Sequence, residues 1–237
     1  MTLFSVNINK IALIRNSRGA NYPDLIKSAL DCERYGAQGI TVHPRPDQRH
    51  VRYSDIPVLK DHVTTEFNIE GYPTPEFLDL VIKNKPAQCT LVPDAPEALT
   101  SDNGWDTISN SVFLSETIKQ IKDAGIRVSL FIDPDKDRIY AAKECGADRI
   151  EFYTGPYAHQ FHKDKNAAIA PFVEAAQFAN SIGIGINAGH DLNLDNLRFF
   201  KENIPNLLEV SIGHAVICDA IYLGLKNTIQ LYLRELE

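Results

Sequence analysis

The sequence predicts an α/β fold, a (β/α)8 TIM barrel with extra helical and loop segments, on three observations. Eight short apolar runs alternate with amphipathic segments along the 237 residues. Almost every run ends in a residue capable of acid–base or phosphate chemistry: Asn7 and Asn9, His43, Glu70, Asp94, Asp133, Glu151, His190 and His214. Finally, no GxGxxG follows the first run, which removes the usual sign of an open dinucleotide-binding sheet. Strict alternation implies a parallel sheet. In a closed barrel all strand C-termini open onto one face, where the chemistry sits.

Taken in order, strands are expected over residues 3–9, 39–43, 64–70, 88–93, 127–133, 148–154, 183–188 and 208–213. Each is short and rich in β-branched or aromatic residues, as suits a strand buried on both faces. Helices are expected over 22–35, 54–62, 75–84, 112–124, 136–145, 166–181, 194–203 and 216–237. Thr74 ahead of Pro75 reads as an N-cap followed by proline at the first helical position. Gly125 and Gly146 each close a helix, where a left-handed cap is wanted, just before Ile126 and Ala147 open the next strand. Two stretches, 93–110 and 155–166, exceed ordinary loop length and read as loops on the strand-end face, the first as a lid. No linker or low-complexity tract divides residues 1–237, so one catalytic barrel domain is expected.

Composition excludes several function classes. With 44% hydrophobic and 23% charged residues, the chain is an ordinary globular one. A net charge of −7 argues against nucleic acid as a partner while leaving room for a local phosphate pocket. Cys32, Cys89, Cys145 and Cys218 form no CxxC pair and are expected as reduced thiols. The opening MTLFSVNINK lacks a basic segment ahead of an apolar stretch, and no apolar run reaches the ~18 residues of a membrane span. A cytoplasmic protein is expected.

Five constellations carry chemistry. Asn7 ends the first strand, and Arg15-Asn16-Ser17-Arg18-Gly19 follows in the first loop, where the fork of Arg18 matches phosphate oxygens or is simply solvated. His43-Pro44-Arg45-Pro46-Asp47-Gln48-Arg49-His50 places two histidines and two arginines directly after a strand, joining proton transfer to anion positioning. Glu70 closes an apolar strand, where a carboxylate is costly unless it is used or paired; Glu151 repeats that logic, either as an active group or as part of a polar layer inside the barrel. Asn187-Ala188-Gly189-His190-Asp191 brings backbone close to a ligand while His190 projects into the mouth. Ser211-Ile212-Gly213-His214 ends the last strand at a helix start, the usual phosphate site of barrels. His43, Glu70 and His190 also fit a two-histidine, one-carboxylate metal site, although no HxH or HxxxH pair supports it and no metal is expected. Lys10 offers the amine for a Schiff base.

In order, Val6-Asn7-Ile8, Arg15-Asn16-Ser17-Arg18-Gly19, Gly39-Ile40-Thr41-Val42-His43-Pro44-Arg45, Asn68-Ile69-Glu70, Leu91-Val92-Pro93, Val128-Ser129-Leu130-Phe131-Ile132-Asp133, Asn187-Ala188-Gly189-His190 and Ile212-Gly213-His214-Ala215 resemble the pyridoxine 5′-phosphate synthase family from first strand to last helix. The resemblance implies a cofactor-free transferase that joins 3-amino-1-hydroxyacetone 1-phosphate to 1-deoxy-D-xylulose 5-phosphate and closes the pyridine ring of vitamin B6. It implies His43, Glu70 and His190 as acid–base residues and Glu151 as a polar stabiliser. Asn7, Arg18, Asp191, Gly213 and His214 would hold the amino-ketone phosphate; Arg45, His50 and Thr100 would hold the deoxyxylulose phosphate, with Asn9 and Lys10 as further substrate-binding positions. A homo-octamer is implied as well. Two positions depart from the family pattern: Asn9-Lys10 stands where Asp-His is common, and Asp191 where Gly is usual. The alternatives are another phosphosugar aldolase or isomerase on this fold, using Lys10, and a phosphometabolite-binding protein without catalysis.

Overall fold

In the computed structural model, which describes residues 1–94 and 101–237, the predicted alternation closes on itself. Strands β1 (Leu3–Asn7), β2 (Gly39–Val42), β3 (Glu66–Gly71), β4 (Gln88–Leu91), β5 (Arg127–Ile132), β6 (Arg149–Phe152), β7 (Gly185–Ala188) and β8 (Leu207–Ile212) are parallel and pair in sequence order, and β1 pairs with β8 to complete the barrel. Around them lie α1 (Asn9–Asn16), α2 (Leu25–Arg34), α3 (Asp55–His62), α4 (Pro75–Asn84), α5 (Ser111–Asp123), α6 (Lys136–Glu144), α7 (Gly155–Phe161), α8 (Lys165–Ser181), α9 (Leu197–Asn203), α10 (His214–Leu223) and α11 (Leu225–Glu235). The Thr74 hydroxyl accepts the Phe77 N–H at 3.2 Å, capping α4 as expected. Gly125 and Gly146 sit at φ 82° and 92°, in the left-handed region where a Cβ is disfavoured.

Three expectations are corrected. Residues 9–16, expected as strand end and loop, form α1 directly after β1, so Lys10 and Arg15 lie on a helix. Within 155–166, expected as a loop, Gly155-Pro156 starts α7, whose Tyr157 packs against Phe172 and Phe200. The last helix is two, because Gly224 at φ 77° breaks it and turns α11 back so that Tyr232 stacks on Phe4. Thr100 and its neighbours 95–99 lie outside the described residues, but Trp105 donates from its backbone to Phe131 O and from its indole to Leu91 O, and Gly104 presses against Asp133. Those bonds fix 104–105 to the ends of β4 and β5.

The strands are buried on both faces, yet the two faces differ in kind. Phe4, Val6, Ile40, Val42, Phe67, Ile69, Val128, Leu130, Ile150, Phe152, Ile186, Val210 and Ile212 form the apolar layer beneath the helices. Alternate positions point inward and most of them are polar. Arg127 of β5 pairs with Glu66 of β3, two strands away, and Arg149 of β6 bonds Glu209 of β8 at 3.2 Å; such partners meet only across the barrel interior. Ser5–Thr41 and Thr90–Asn68 hydrogen bonds continue the lining. A barrel usually fills this space with branched apolar layers. Here Ser129 Oγ, Glu151 Oε2, Asn187 Nδ2 and Ser211 Oγ are buried without a hydrogen-bond partner among the described residues, so the interior is polar rather than filled by apolar layers.

Candidate active site

The mouth is built by side chains that stitch neighbouring strand ends together. Asn7 closes β1: its Oδ1 accepts the Asn9 N–H at 3.0 Å, an Asx-type turn that starts α1, and its Nδ2 donates to Glu70 Oε2 at 3.4 Å. Asn9 Oδ1 in turn accepts the His43 N–H at 2.9 Å. That contact uses an oxygen that aspartate would also supply, so an amide at position 9 keeps the β1–β2 link. Asn7, Asn9, His43 and Glu70 are thus one constellation.

Its electrostatics are set by burial. Glu70 is 9% exposed and its carboxyl is pushed up to about 8, first by desolvation and then by the charges of Asp94 and Glu209. Glu151, on β6, is held well above the ordinary carboxylate range by burial and by Glu70. His43 is pushed well below 6.5 by burial, with Arg45, His50 and Arg49 adding to the effect. Burial thus favours the protonated form of Glu70 and the neutral form of His43, a proton donor and a proton acceptor within one constellation.

Beside this pair lies a cationic cluster. His50 is lowered to about 4 by burial and by Arg45, Arg49 and Lys10, and its Nδ1 accepts the Val51 N–H at 3.0 Å, which leaves the proton on Nε2. The Arg45 guanidinium is oriented by buried Asp94 at 2.5 Å, to which Ser101 also donates at 2.6 Å. Arg15, read from sequence as part of a polar loop, is a buried strut: it grips Asp55 bidentately at 2.8 and 2.9 Å and donates to His50 O. Asn16 donates to the carbonyls of Arg49 and His50, so the end of α1 holds the whole 45–50 loop in place.

After β8, the neighbour of β1, Gly213 caps α10 so close to Asn7 that an added Cβ would stand 3.0 Å from the Asn7 Cβ. The free N–H groups of the first turn, next to exposed His214, suit a phosphate. His190 follows β7, bonded through Nδ1 to Asp191 at 2.9 Å, with Phe131 and Tyr153 edge-on at 6.3 and 5.6 Å. Arg18 is the predicted residue that these contacts leave apart: it is exposed in the turn after α1 and has no hydrogen bond or ion pair among the described residues. Asp94, Asp55 and Asn16 were not given roles by sequence reasoning; only the Pro93-Asp94 strand end marked one of them. No three His, Cys, Asp or Glu side chains among the described residues are grouped to hold a metal ion.

A family model described as "Pyridoxal phosphate biosynthesis protein PdxJ" matches residues 4–237. The chain belongs to the pyridoxine 5′-phosphate synthase family. It is 64% identical over 237 residues to the pyridoxine 5′-phosphate synthase of Cytophaga hutchinsonii, covering 100% of both chains, and 60% identical over 232 residues to that of Parabacteroides distasonis, covering 98% of both. Among solved structures, Thermotoga maritima phosphoribosylanthranilate isomerase aligns with a TM-score of 0.60 at 12% identity over 100% of this chain and 98% of that one. Thiamine phosphate pyrophosphorylase of Pyrococcus furiosus aligns at 0.62 and 11%, over 99% and 95%. At such identities the structural likeness speaks for the barrel alone. The chain is a biosynthetic enzyme of this synthase family, and no helix among the described residues is long and apolar enough to cross a membrane.

Proposed function

We propose that the site condenses 3-amino-1-hydroxyacetone 1-phosphate with 1-deoxy-D-xylulose 5-phosphate, releasing pyridoxine 5′-phosphate, inorganic phosphate and water. What supports this reading is that Glu70 on β3 and His43 at the end of β2 are tied through Asn7 and Asn9 into one buried constellation, where burial favours a protonated carboxyl and a neutral imidazole. Imine formation, enolisation, phosphate loss and dehydration are mainly proton transfers, which such a pair can perform without an external cofactor. Glu70 donates to a departing hydroxyl and, once ionised, takes a C–H proton; His43 and His190 exchange protons with the same intermediate. Glu151 supplies a neutral polar floor. Arg45, His50, Lys10, Asn9 and Thr100 hold the deoxyxylulose phosphate, and Asn7, Arg18, Gly213 and His214 the amino-ketone phosphate. Two phosphate handles make the later steps effectively intramolecular.

In this reading residues 1–237 act as one catalytic domain in the cytoplasm, assembled as a homo-octamer. Exposed Leu13 and Ile14 on α1, and Ile221 and Tyr222 on neighbouring α10, support a self-contact. The test is to mix the purified protein with both substrates and follow pyridoxine 5′-phosphate and phosphate together. Both products are expected to appear in equal amounts, and neither substrate alone should give any. Bound substrates that remain unchanged would point to a binding protein. Borohydride trapping of one ketose phosphate on Lys10 would point to an aldolase.

A further inference from the structure

One aromatic pair at the mouth belongs neither to the apolar core nor to the acid–base set. Phe131 is 3% exposed, yet it stands apart from the core that takes in the other buried phenylalanine, tyrosine and tryptophan rings among the described residues. Strand alternation is the reason. On β5, Val128, Leu130 and Ile132 join the apolar layer beneath the helices, so Arg127, Ser129 and Phe131 face the barrel interior. Tyr153 follows Glu151 by the same two-residue step, just past the end of β6. The two rings lie 5.6 Å apart between centroids, and both stand edge-on to the His190 ring. Backbone bonds hold them there: the Trp105 N–H donates to Phe131 O at 2.9 Å, and the Tyr153 N–H to Ile132 O at 2.9 Å. Gly155 leaves the space that Tyr153 occupies, because a Cβ at Gly155 would stand 2.3 Å from the phenol oxygen.

We propose that Phe131 and Tyr153 form an aromatic wall against which the closing pyridine ring lies, so that the site recognises the flat heteroaromatic ring apart from the open-chain substrates. That role rests on the reaction assigned to the site, in which pyridoxine 5′-phosphate is the one aromatic species. Elsewhere the mouth is polar, with Glu70 and Glu151 among its buried groups, and such groups serve hydroxyl, keto and amino functions. A phenyl ring offers the hydroxyls of an open-chain ketose no acceptor, and covering them leaves them unsatisfied. A planar ring carries no such cost on its face and gains an offset or edge-to-face contact. Phosphate loss and dehydration turn tetrahedral carbons into that planar ring. The contact therefore strengthens as the reaction proceeds, and binding that strengthens towards the late transition states speeds turnover where uniform binding does not.

Calorimetric titration with pyridoxine 5′-phosphate and, separately, with 1-deoxy-D-xylulose 5-phosphate tests the wall in wild type, Phe131→Leu, Tyr153→Leu and Tyr153→Phe. Leucine keeps an apolar side chain and removes the ring face. Each leucine variant is expected to bind the product about 3- to 10-fold more weakly, the worth of one aromatic pair, and the ketose phosphate within about two-fold of wild type. Tyr153→Phe keeps the ring and should retain the product affinity. If Phe131→Leu fails to fold, Tyr153→Leu, at a partly exposed position, carries the same comparison. Unchanged product affinity in the folded leucine variants would overturn the wall. So would an equal loss for product and ketose phosphate, which marks general damage to the mouth, or a wild type that does not bind the product. If wild type binds pyridoxine 5′-phosphate through the two rings yet makes none from the two substrates, the wall stands and the assigned reaction fails.

Discussion

Glu70→Gln and His43→Ala are each expected to lower kcat by about 10²–10⁴-fold, the usual contribution of a general acid–base group, while either substrate still protects the protein against heat. Glutamine reproduces the shape and neutral charge of the protonated Glu70 carboxyl, and can still accept the Asn7 Nδ2 hydrogen bond now made to Oε2. What it lacks is the exchangeable proton. His43→Ala removes the neutral imidazole but not the backbone N–H through which Asn9 ties β2 to β1. In both variants the cationic rim around Arg45 and His50 is left in place, so loss of turnover should separate from loss of binding. Steady-state rates with both substrates, together with melting curves with each alone, make the measurement. If both variants turn over within a few-fold of wild type, the acid–base assignment is wrong.

Stability is expected to fall on the alkaline side, and Glu70→Gln to abolish much of that fall. A carboxyl whose folded pKa is raised stabilises the fold fully below its unfolded value and loses that contribution as pH rises through the folded one. Glu70 moves from 4.5 to about 8, so the loss runs from about pH 4.5 to about pH 8 and levels off above it. Glu151, raised for the same reason, adds to it. The histidines act on the other side. His50 is lowered from 6.5 to about 4, so the contribution of its neutral form is lost as pH falls through that window, and buried His43 follows the same sign. Melting temperature against pH should therefore drop at both ends in wild type. In Glu70→Gln the acid limb should remain while the alkaline limb flattens and crosses above wild type. Parallel curves would contradict the buried protonated carboxyl.

The barrel was legible in the sequence because each strand is a short apolar run closed by a polar residue, and parallel pairing in chain order needs no long-range information. Most strands are shorter than expected by one to three residues, as where β2 ends at Val42 and leaves His43 beyond the ladder. Helix α1 was hidden because the polar Arg15-Asn16-Ser17-Arg18 stretch resembles a turn; its worth lies in the Arg15–Asp55 pair, whose partners are forty residues apart in sequence. The break at Gly224 was masked by continuous apolar periodicity across it. The polar barrel interior could not be read from composition, since strand alternation says which residues share a face and not whether that face meets water or helices. The site itself was largely legible as strand-end chemistry. The partners that tune it were not, because Asp94 beside Arg45 and Asp191 beside His190 depend on loop geometry that spacing does not specify.

The central claim is that burial keeps Glu70 protonated and His43 neutral within one constellation at the barrel mouth. Infrared difference titration of the protonated carboxyl band, wild type against Glu70→Gln, tests it most directly. The band assigned to Glu70 should persist at pH 7 and disappear with a midpoint near 8. A Glu70 band already lost in the ordinary carboxylate range, near the reference value of 4.5, would contradict it.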